Sequence, residues 1–484
     1  MVSEIKDADA LKSQLLTESI IKRSQSAPIY LSAIEINGGE RFSNNFFKKL
    51  LYPLVDKSDY TLSQLIKEIG VTEERLLKTN VFKDIGISLH SDYANLLPSS
   101  VKNYNNETPI STKLVLDLSA INLNINESFL NYNTQDNLNV NLDYLNNNFN
   151  NNAELVNIGV NYNPYKPNDH LITNFKGLAS LNNPSYKFLL NILHSQENNQ
   201  VWQQSSHGVS GGLIGLQYSP NTNFQSLTGL TLSRRTLHNI DDAAPDELKF
   251  FAGDYFKSSI LQQIDYSDLS YLNSITKNFP VQGTQQHVDV ELASNQEQQN
   301  PNNIASFIRA AYNSKYYRSF LHNYFTAKVN FDFGGIFPLS TNTPVHISDR
   351  FYLGGIDSFN GFIKNGINTN GGLQFYKLQG TLFSKLPSFI HKTKKESTTL
   401  GGEESNPLRL YITSSLGNVS DNIFEDDTGA SNVGVGLRYF NYWANFDIGY
   451  FIAKRFGADH GDESIGIKDG FHFSVSLGGS NRSL

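Results

Sequence analysis

The chain has no cysteine among its 484 residues, which excludes disulfides, thiolate nucleophiles and zinc–thiolate sites together. Long apolar runs are missing too, and no stretch approaches the roughly 18 residues that a membrane-spanning helix needs. The N-terminal stretch MVSEIKDADALKSQLLTES has mixed charge and lacks the apolar region of a secretory signal. It also carries acidic residues, which cleaved mitochondrial presequences avoid. We therefore expect neither kind of targeting segment.

A positive charge excess is also absent, since the formal net charge is −7 at pH 7. A general nucleic-acid role therefore has no electrostatic support. What is abundant is phenylalanine (32), tyrosine (24) and glycine (35), a composition that suits many strands and tight turns. A strand-rich chain without a spanning helix can still be a membrane protein, because a closed barrel satisfies every backbone group.

The first part of the chain predicts a small α+β module. Residues 1–27 are polar, and we predict a flexible segment there. Within residues 28–124, one strand precedes two amphipathic helices, for which Ser43 and Thr61 are plausible N-caps. DIGISLH and KLVLDLSAI then predict two more strands. The predicted order is β-α-α-β-β.

Residues 125–484 alternate between apolar and polar side chains. In FTAKVNFDF (325–333), Phe, Ala and Val share one face, while Thr, Lys, Asn and Asp share the other. GFHFSVSLGG (470–479) repeats the pattern. Such segments, about ten residues each, predict a transmembrane β-barrel of roughly sixteen strands. A soluble β-sandwich also alternates, but its strands are usually shorter, and the polar face here carries Lys, Asp and Asn, as a wet barrel lumen allows.

One pattern resembles a catalytic motif. In HGVSGG, the residues Gly208, Ser210 and Gly212 match a nucleophile elbow. That chemistry requires a strand–turn–helix context to expose the serine. Here LIGLQYS continues as a strand, so we interpret the match as fortuitous. No nucleophile is paired with a base in the sequence, and we expect neither an enzyme nor a cofactor.

Two polar stretches allow a functional and a simpler reading. ADHGDESIG could hold a hard metal ion, although a solvated loop before the last strand explains it better; its candidate ligands are Asp459, His460, Asp462 and Glu463. HKTKKESTT (391–399) is most simply a solvated turn, with partner docking as the alternative.

The stretch SDRFYLGGIDSFNGF (348–362) interrupts the alternation. Together with GGLQFYKLQGTLFSKLP (371–387), it resembles the family of the core barrel subunit of the mitochondrial sorting and assembly machinery. That superfamily also holds bacterial BamA. The resemblance covers nearly the whole chain. It implies a single POTRA domain in the intermembrane space (28–124) and a sixteen-stranded barrel in the mitochondrial outer membrane (125–484).

In that family, the loop after the eleventh barrel strand enters the lumen, where its Arg-Gly-Phe tip docks on the barrel wall. The resemblance therefore implies a lumen-inserted loop at about 339–370, rather than an ordinary turn. Asn360 stands where the family has arginine, and it offers a neutral amide instead of a bidentate, charge-assisted anchor. Salt-bridged docking of the tip is therefore in doubt. The implied loop residues are Asp349, Arg350, Gly354, Gly355, Phe359, Asn360, Gly361 and Phe362.

The last strand resembles the β-signal with which such barrels and their substrates end, although any closing strand comes close to the pattern. Its matching residues are Lys468, Gly470, Phe473 and Val475. The resemblance implies an insertase: a client's β-signal pairs with an edge strand where the seam opens between the first strand (about 127–133) and the last (470–479). It also implies the partners, which are porin-type precursors, peripheral cytosolic-side subunits, intermembrane-space chaperones and the lipid bilayer.

Three alternatives stay open at this point. A passive porin-like channel would explain the barrel but gives no reason for the N-terminal module or the inserted loop. A soluble β-rich binding protein would explain the alternation alone. A bacterial or chloroplast relative is the third, and the expected absence of a signal peptide, the single POTRA domain and SDRFYLGG all favour the mitochondrion over it.

Overall fold

A computed structural model describes residues 22–94, 97, 101, 108–135, 137–272, 279–300, 302–340, 343–356, 358–386, 408–440, 444–457 and 466–478. Residues 1–21 of the predicted N-terminal segment lie outside these ranges. The chain divides into two compact units. One is Met1–Ile125 with Asn146–Val156 and Ala179–Lys187, and the other is Asn126–Leu145, Asn157–Leu178 and Phe188–Leu484.

The N-terminal module is an α+β fold around a four-stranded sheet. Its elements are β1 (Pro28–Asn37), α1 (Asn44–Leu50), α2 (Tyr52–Val55), β2 (Asp59–Thr61), α3 (Leu62–Lys78), β3 (Phe82–Ser91) and β4 (Ile110–Ala120). The sheet order is β2-β1-β4-β3, with β1 and β4 parallel. The predicted β-α-α-β-β order missed α2 and β2, because elements of four and three residues are too short to show periodicity.

Local capping explains where the two longer helices begin. The Ser43 side chain accepts a hydrogen bond from the Phe46 amide at the start of α1. At α3, Thr61 and Gln64 form a reciprocal capping box. Leu54 and Leu65 on the helices and Leu114 on β4 are fully buried. The module therefore has a core between its helices and its sheet.

The rest of the chain forms a closed barrel. Its strands are β5 (Asn124–Asn133), β6 (Asn137–Phe149), β7 (Glu154–Tyr162), β8 (His170–Ser180), β9 (Tyr186–Asn198), β10 (Ser206–Tyr218), β11 (Phe224–His238), β12 (Gly253–Tyr271), β13 (Pro280–Glu297), β14 (Ile304–Phe320), β15 (Phe325–Pro338), β16 (Gln374–Lys385), β17 (Leu408–Ser420), β18 (Gly429–Phe440), β19 (Ala444–Phe456) and β20 (Gly470–Leu477). Short helices α4 (Gln200–Gln203) and α5 (Asp246–Phe250) lie in connections. Each strand pairs with the next, and β20 pairs with β5. The predicted sixteen-stranded barrel is confirmed.

The two faces of the strands are as the alternation predicts. On β15, Phe331 is 42% exposed while the neighbouring Asn330 is 4% exposed. Leu230, Ile260 and Val433 are likewise exposed on other strands. The outer surface is thus apolar and the inner surface polar, the arrangement of a barrel rather than of the two-sheet sandwich. Within the described ranges, no helix is long and apolar enough to cross a membrane.

Strand lengths and boundaries differ from the prediction in places. The strands β12 and β13 have 19 and 18 residues, against the predicted length of about ten. The alternation around FTAKVNFDF predicts a strand at about 321–338, whereas β15 begins at Phe325. Three residues with positive φ, Leu321, His322 and Asn323, form the preceding turn. Their sequence carries no glycine to mark that turn.

Candidate functional site

The connection between β15 and β16 lies inside the barrel; we call residues 339–373 the lumenal loop. Its side chains contact Arg235 of β11 and Lys257 of β12. Its backbone contacts Asn432 of β18, on a distant part of the wall. These wall residues alternate along their strands with exposed apolar ones such as Leu232 and Val433. A loop that contacts the inward faces of such separated strands occupies the lumen.

The base of the lumenal loop is fixed by a buried ionic cluster around Asp349. Its carboxylate lies 2.6 Å from Arg235 Nη1 and 2.7 Å from Lys257 Nζ. Lys257 also contacts Glu291 of β13 at 2.8 Å. Burial alone would raise the pKa of Asp349, but Arg235 and Lys257 outweigh it and hold that pKa well below its usual range. Asp349 therefore stays ionised and ties the loop to three neighbouring strands.

Arg350 and Gly354 shape the same end of the loop. The buried Arg350 guanidinium pairs with Glu247 of α5 at 2.6 Å, and Glu247 is half-exposed. Gly354 has φ +133°, and a Cβ atom there would lie 2.5 Å from the Gly366 amide. Only glycine fits this conformation and this close approach. The loop motif therefore combines an ionic anchor with a close contact between two segments of the loop backbone.

The tip of the lumenal loop docks by packing. The rings of Phe359 and Phe362 are fully buried and meet edge to face, with centroids 5.6 Å apart. Gly361 has φ +86°, and a Cβ atom there would lie 2.7 Å from Ala453 Cβ on β19. The tip backbone thus lies directly on the barrel wall.

Asn360 forms no ionic anchor. Its carbonyl oxygen accepts a hydrogen bond from Asn432 Nδ2. Its side-chain oxygen is buried and has no hydrogen-bond partner among the residues that the structure describes. Docking at the tip relies on apolar and backbone contacts, and the charged anchor of this loop is Asp349 instead.

Among the residues that the structure describes, the seam between β20 and β5 is short. Its register comprises four residue pairs, Ser474–Asn133, Val475–Tyr132, Ser476–Asn131 and Leu477–Leu130. The adjacent β19–β20 ladder extends from Gly470 to Leu477. Within the described ranges, Asn124–Glu127 of β5 and Gly470–His472 of β20 have no partner across the seam, while Gly478 lies against Ser128 and Phe129. Of the β-signal candidates, Val475 lies in the seam ladder, whereas Lys468 and Gly470 precede it.

The loop tip meets both flanks of the seam. The Lys468 amide donates to the Gly361 carbonyl at 2.8 Å, and the Ile363 amide donates to the Gly466 carbonyl at 2.9 Å. Lys468 Nζ donates to the Thr134 carbonyl, just past β5, at 3.3 Å. These contacts bring together the loop-tip and β-signal residues that the sequence singled out separately.

Sequence reasoning missed the wall residues that hold the loop, which are Arg235, Lys257, Glu291, Asn432 and Ala453. A signal existed for three of them, because charged residues on an otherwise apolar–polar strand are placed in the lumen by the alternation. No sequence pattern indicated that two of them converge on Asp349.

Ser210 lies in mid-strand in β10, as the sequence reading of HGVSGG implied. The structure nevertheless places His194 Nδ1 2.7 Å from Ser210 Oγ, across neighbouring strands. The sequence showed no such serine–histidine pair. Both side chains point outward, and they satisfy each other's hydrogen bonding.

Two further stretches that the sequence singled out fall outside the residues that the structure describes. Residues 391–399 and the cluster Asp459, His460, Asp462 and Glu463 lie outside the described residues. Elsewhere in the described ranges, no three His, Cys, Asp or Glu side chains are grouped so that they could hold a metal ion.

A polar cavity of about 780 Å³ lies in the lumen beside the seam. Its wall includes Asn131 of β5 and His472 of β20. Lysine and arginine side chains also line it, together with Asp332 and Asp447. Lys377 pairs with Asp332 at 3.0 Å. The cavity beside the seam is therefore lined largely by polar and charged side chains.

No known protein-family model matches this chain, and no curated protein sequence does. Solved structures share its fold. BamA from Haemophilus ducreyi lacking POTRA domains 1–3 has a TM-score of 0.69 at 12% identity, and the match covers 93% of this chain and 84% of that one. CdiB from Acinetobacter baumannii has a TM-score of 0.52 at 14% identity over 93% and 74%. CdiB from Escherichia coli has a TM-score of 0.50 at 13% identity over 94% and 77%. The chain is thus a sixteen-stranded barrel with a small α+β N-terminal module, as in BamA.

Proposed function

We propose that this protein folds and inserts β-barrel precursors into the mitochondrial outer membrane by strand addition at its seam. The observation that carries the proposal is the short β20–β5 ladder, with edges beside it that have no partner across the seam among the described residues. The apolar outer surface of the barrel supports its placement in a bilayer.

Strand addition addresses the main obstacle to insertion. A nascent strand in lipid has open backbone donors and acceptors, each costing several kcal/mol. An edge strand of the insertase pairs with these groups, while alternating side chains fix the register. The client's C-terminal β-signal pairs with β5, and later strands add as hairpins. The driving force is client folding and burial in the bilayer, with no cofactor.

The seam is also less costly to open than a long ladder elsewhere in the barrel. An intramolecular hydrogen bond contributes a net of about 0.5–1.5 kcal/mol. Four residue pairs therefore represent on the order of 2–6 kcal/mol, which a pairing client strand recovers. Opening the ladder between β12 and β13, which extends from Tyr255 to Tyr271, would cost several times more.

The lumenal loop braces the wall while the seam opens. Its base is bound to β11–β13 through Asp349, and its tip packs on β18 and β19 through Asn360 and Gly361. The base lies far from the seam along the barrel wall, whereas the tip also contacts the residues that flank it. The remainder of the barrel can thus keep its curvature when β20 and β5 separate.

The assignment of the N-terminal module as a POTRA domain rests on two supports. The sheet with its packed helices is an α+β fold, as the sequence resemblance implies, although it contains α2 and β2 in addition. The similar BamA structure is described as lacking POTRA domains 1–3. SDRFYLGG supports the mitochondrial location. On this proposal the partners are porin-type precursors, intermembrane-space chaperones and peripheral subunits on the cytosolic side.

Reconstitution tests the proposal directly. The full chain in vesicles should accelerate the folding of an added, urea-denatured porin precursor over that in empty vesicles, measured as the heat-sensitive compact band on gels. A precursor with its β-signal scrambled is the control. Equal folding rates with and without the protein would refute the insertase. Import of labelled porin precursor into depleted mitochondria would test the location, because the precursor should cross the membrane and stall unassembled.

The polar lumenal cavity favours one second candidate, a passive porin-like channel. A channel would conduct ions in the same vesicles without accelerating precursor folding. The docked loop and the short seam have no role in that function.

A further inference from the structure

A side chain outside the recognised motifs ties the loop tip to the first barrel strand. Gln135 is the second residue after β5, and its Nε2 donates to the Phe362 carbonyl at 2.8 Å. Its own amide donates to Asn133 Oδ1 at 2.8 Å, which holds the chain in a turn at the end of the strand. The glutamine therefore leaves the wall and reaches the loop.

The loop accommodates this side chain. A Cβ atom at Gly355 would lie 3.1 Å from Gln135 Oε1, so the carboxamide rests against a glycine backbone. Phe362, whose carbonyl accepts the bond, is fully buried. Its ring lies under the Arg455 guanidinium of β19 at 5.8 Å. The acceptor is thus held against β19, on the other side of the seam from β5.

The same short stretch of loop is bonded to the other flank of the seam. Phe362 forms an isolated antiparallel bridge with Ile467, and Gly361 accepts from the Lys468 amide at 2.8 Å. Lys468 lies two residues before β20. Phe362 and its neighbour thus join the chain after β5 to the chain before β20, at one end of the seam.

We infer that Gln135 is a latch that couples the loop tip to the seam: β5 cannot separate from β20 at this end until the bond to Phe362 breaks. The inference rests on the proposed function, since it concerns the same opening seam, and it adds a positioning residue to it. A client strand that begins to pair at the C-terminal end of β5 first separates Thr134 and Gln135 from their partners across the junction. Release of the loop tip then accompanies entry of the β-signal.

Gln135→Met tests the latch, because methionine keeps length and volume but removes the amide. The readout is hydrogen–deuterium exchange of the full chain in lipid nanodiscs without client, which is independent of insertase activity. Loss of one hydrogen bond should raise seam opening about two- to twelve-fold. Faster exchange is expected at the amides of Thr134, Ile363 and Lys468, which bond across the junction.

The matched control is Gln298→Met, which changes an exposed glutamine just after β13. The β16–β17 ladder serves as an internal reference in both variants. Faster exchange at the three junction amides in Gln135→Met alone, with the reference unchanged, supports the latch. Exchange at those amides equal to that of the parent chain overturns it, whatever a client-folding assay shows. A slow client-folding rate in the parent chain would count against the insertase and leave the latch result standing.

Discussion

The carboxylate of Asp349 lies 2.6 Å from the Arg235 guanidinium in a site where both side chains are largely removed from solvent. This contact joins the lumenal loop to β11, and Lys257 extends it to β12. The charged anchor of the loop therefore lies at its base, eleven positions before Asn360 at its tip.

Asp349→Asn should destabilise the barrel by about 3–5 kcal/mol, because removal of one buried partner leaves Arg235 and Lys257 without compensation. Urea unfolding in lipid vesicles measures this. The control is Glu247→Gln, which breaks the half-exposed pair with Arg350 and should cost about 1 kcal/mol or less. Equal effects of the two substitutions would show that Asp349 is no anchor.

Gly361→Ala should undock the loop tip. The new methyl group would lie 2.7 Å from Ala453 Cβ, and the residue has φ +86°, so the substitution adds both a clash and backbone strain. Protease accessibility of the loop in the folded barrel should rise. Gly380→Ala on β16 is the matched control, since a Cβ atom there meets nothing within 4 Å. Identical protection of both variants would contradict the wall contact.

Phe362→Ala should loosen the barrel and slow client release. Truncating a fully buried phenylalanine costs about 3–5 kcal/mol. The exposed Phe424 provides the control, because Phe424→Ala deletes a ring that packs against little of the protein. Pulse–chase assembly of a labelled porin precursor measures release. Unchanged assembly kinetics in Phe362→Ala would refute the bracing role of the loop.

The stability of the loop should depend on pH through His346. Burial, reinforced by Arg235, lowers the pKa of this histidine to about 3, while an unfolded chain titrates near 6.5. The unfolded state therefore binds the proton more readily. The contribution of neutral His346 to the free energy of unfolding is fully present above about pH 6.5. It is lost as the pH falls toward 3, by on the order of 1.4 kcal/mol per pH unit.

Unfolding midpoints in vesicles between pH 7 and pH 4.5 measure that dependence. His346→Asn removes the titrating ring and keeps an acceptor for the Ser348 amide, which bonds to His346 Nδ1 at 3.1 Å. The variant should show a flatter profile. His322→Asn, at an exposed turn, should keep the parent slope. A parent-like slope in His346→Asn would assign the pH dependence to other groups.

Alternation was sufficient to predict the barrel because each strand presents a lipid-type face and a lumenal face with period two, as in β15 and β20. Capping chemistry likewise located α1 and α3 through Ser43 and Thr61. Short elements such as α2 carry no period and were missed. The turn at Leu321–Asn323 was missed because left-handed backbone in this chain is not confined to glycine.

In the candidate site, too, the sequence indicated some residues but not their contacts. Phe359, Gly361 and Phe362 could be singled out because a pair of aromatics around Asn-Gly interrupts the alternation. Their contacts could not, since Ala453 and Arg455 are distant in sequence and reach the loop only after the barrel closes. Gln135 carries no motif at all, and its role follows only from the turn that ends β5.

A reversible disulfide across the seam is the most direct test of client insertion between β5 and β20. Because the chain lacks cysteine, Asn131→Cys with Ser476→Cys places one pair of thiols on directly opposed residues of β5 and β20, within disulfide reach. Thr381→Cys with Thr413→Cys does the same between β16 and β17. Client folding in vesicles should stop when the seam pair is oxidised, resume on reduction, and continue in the oxidised control. Unimpaired client folding with the seam disulfide fully formed would contradict insertion through the β5–β20 seam.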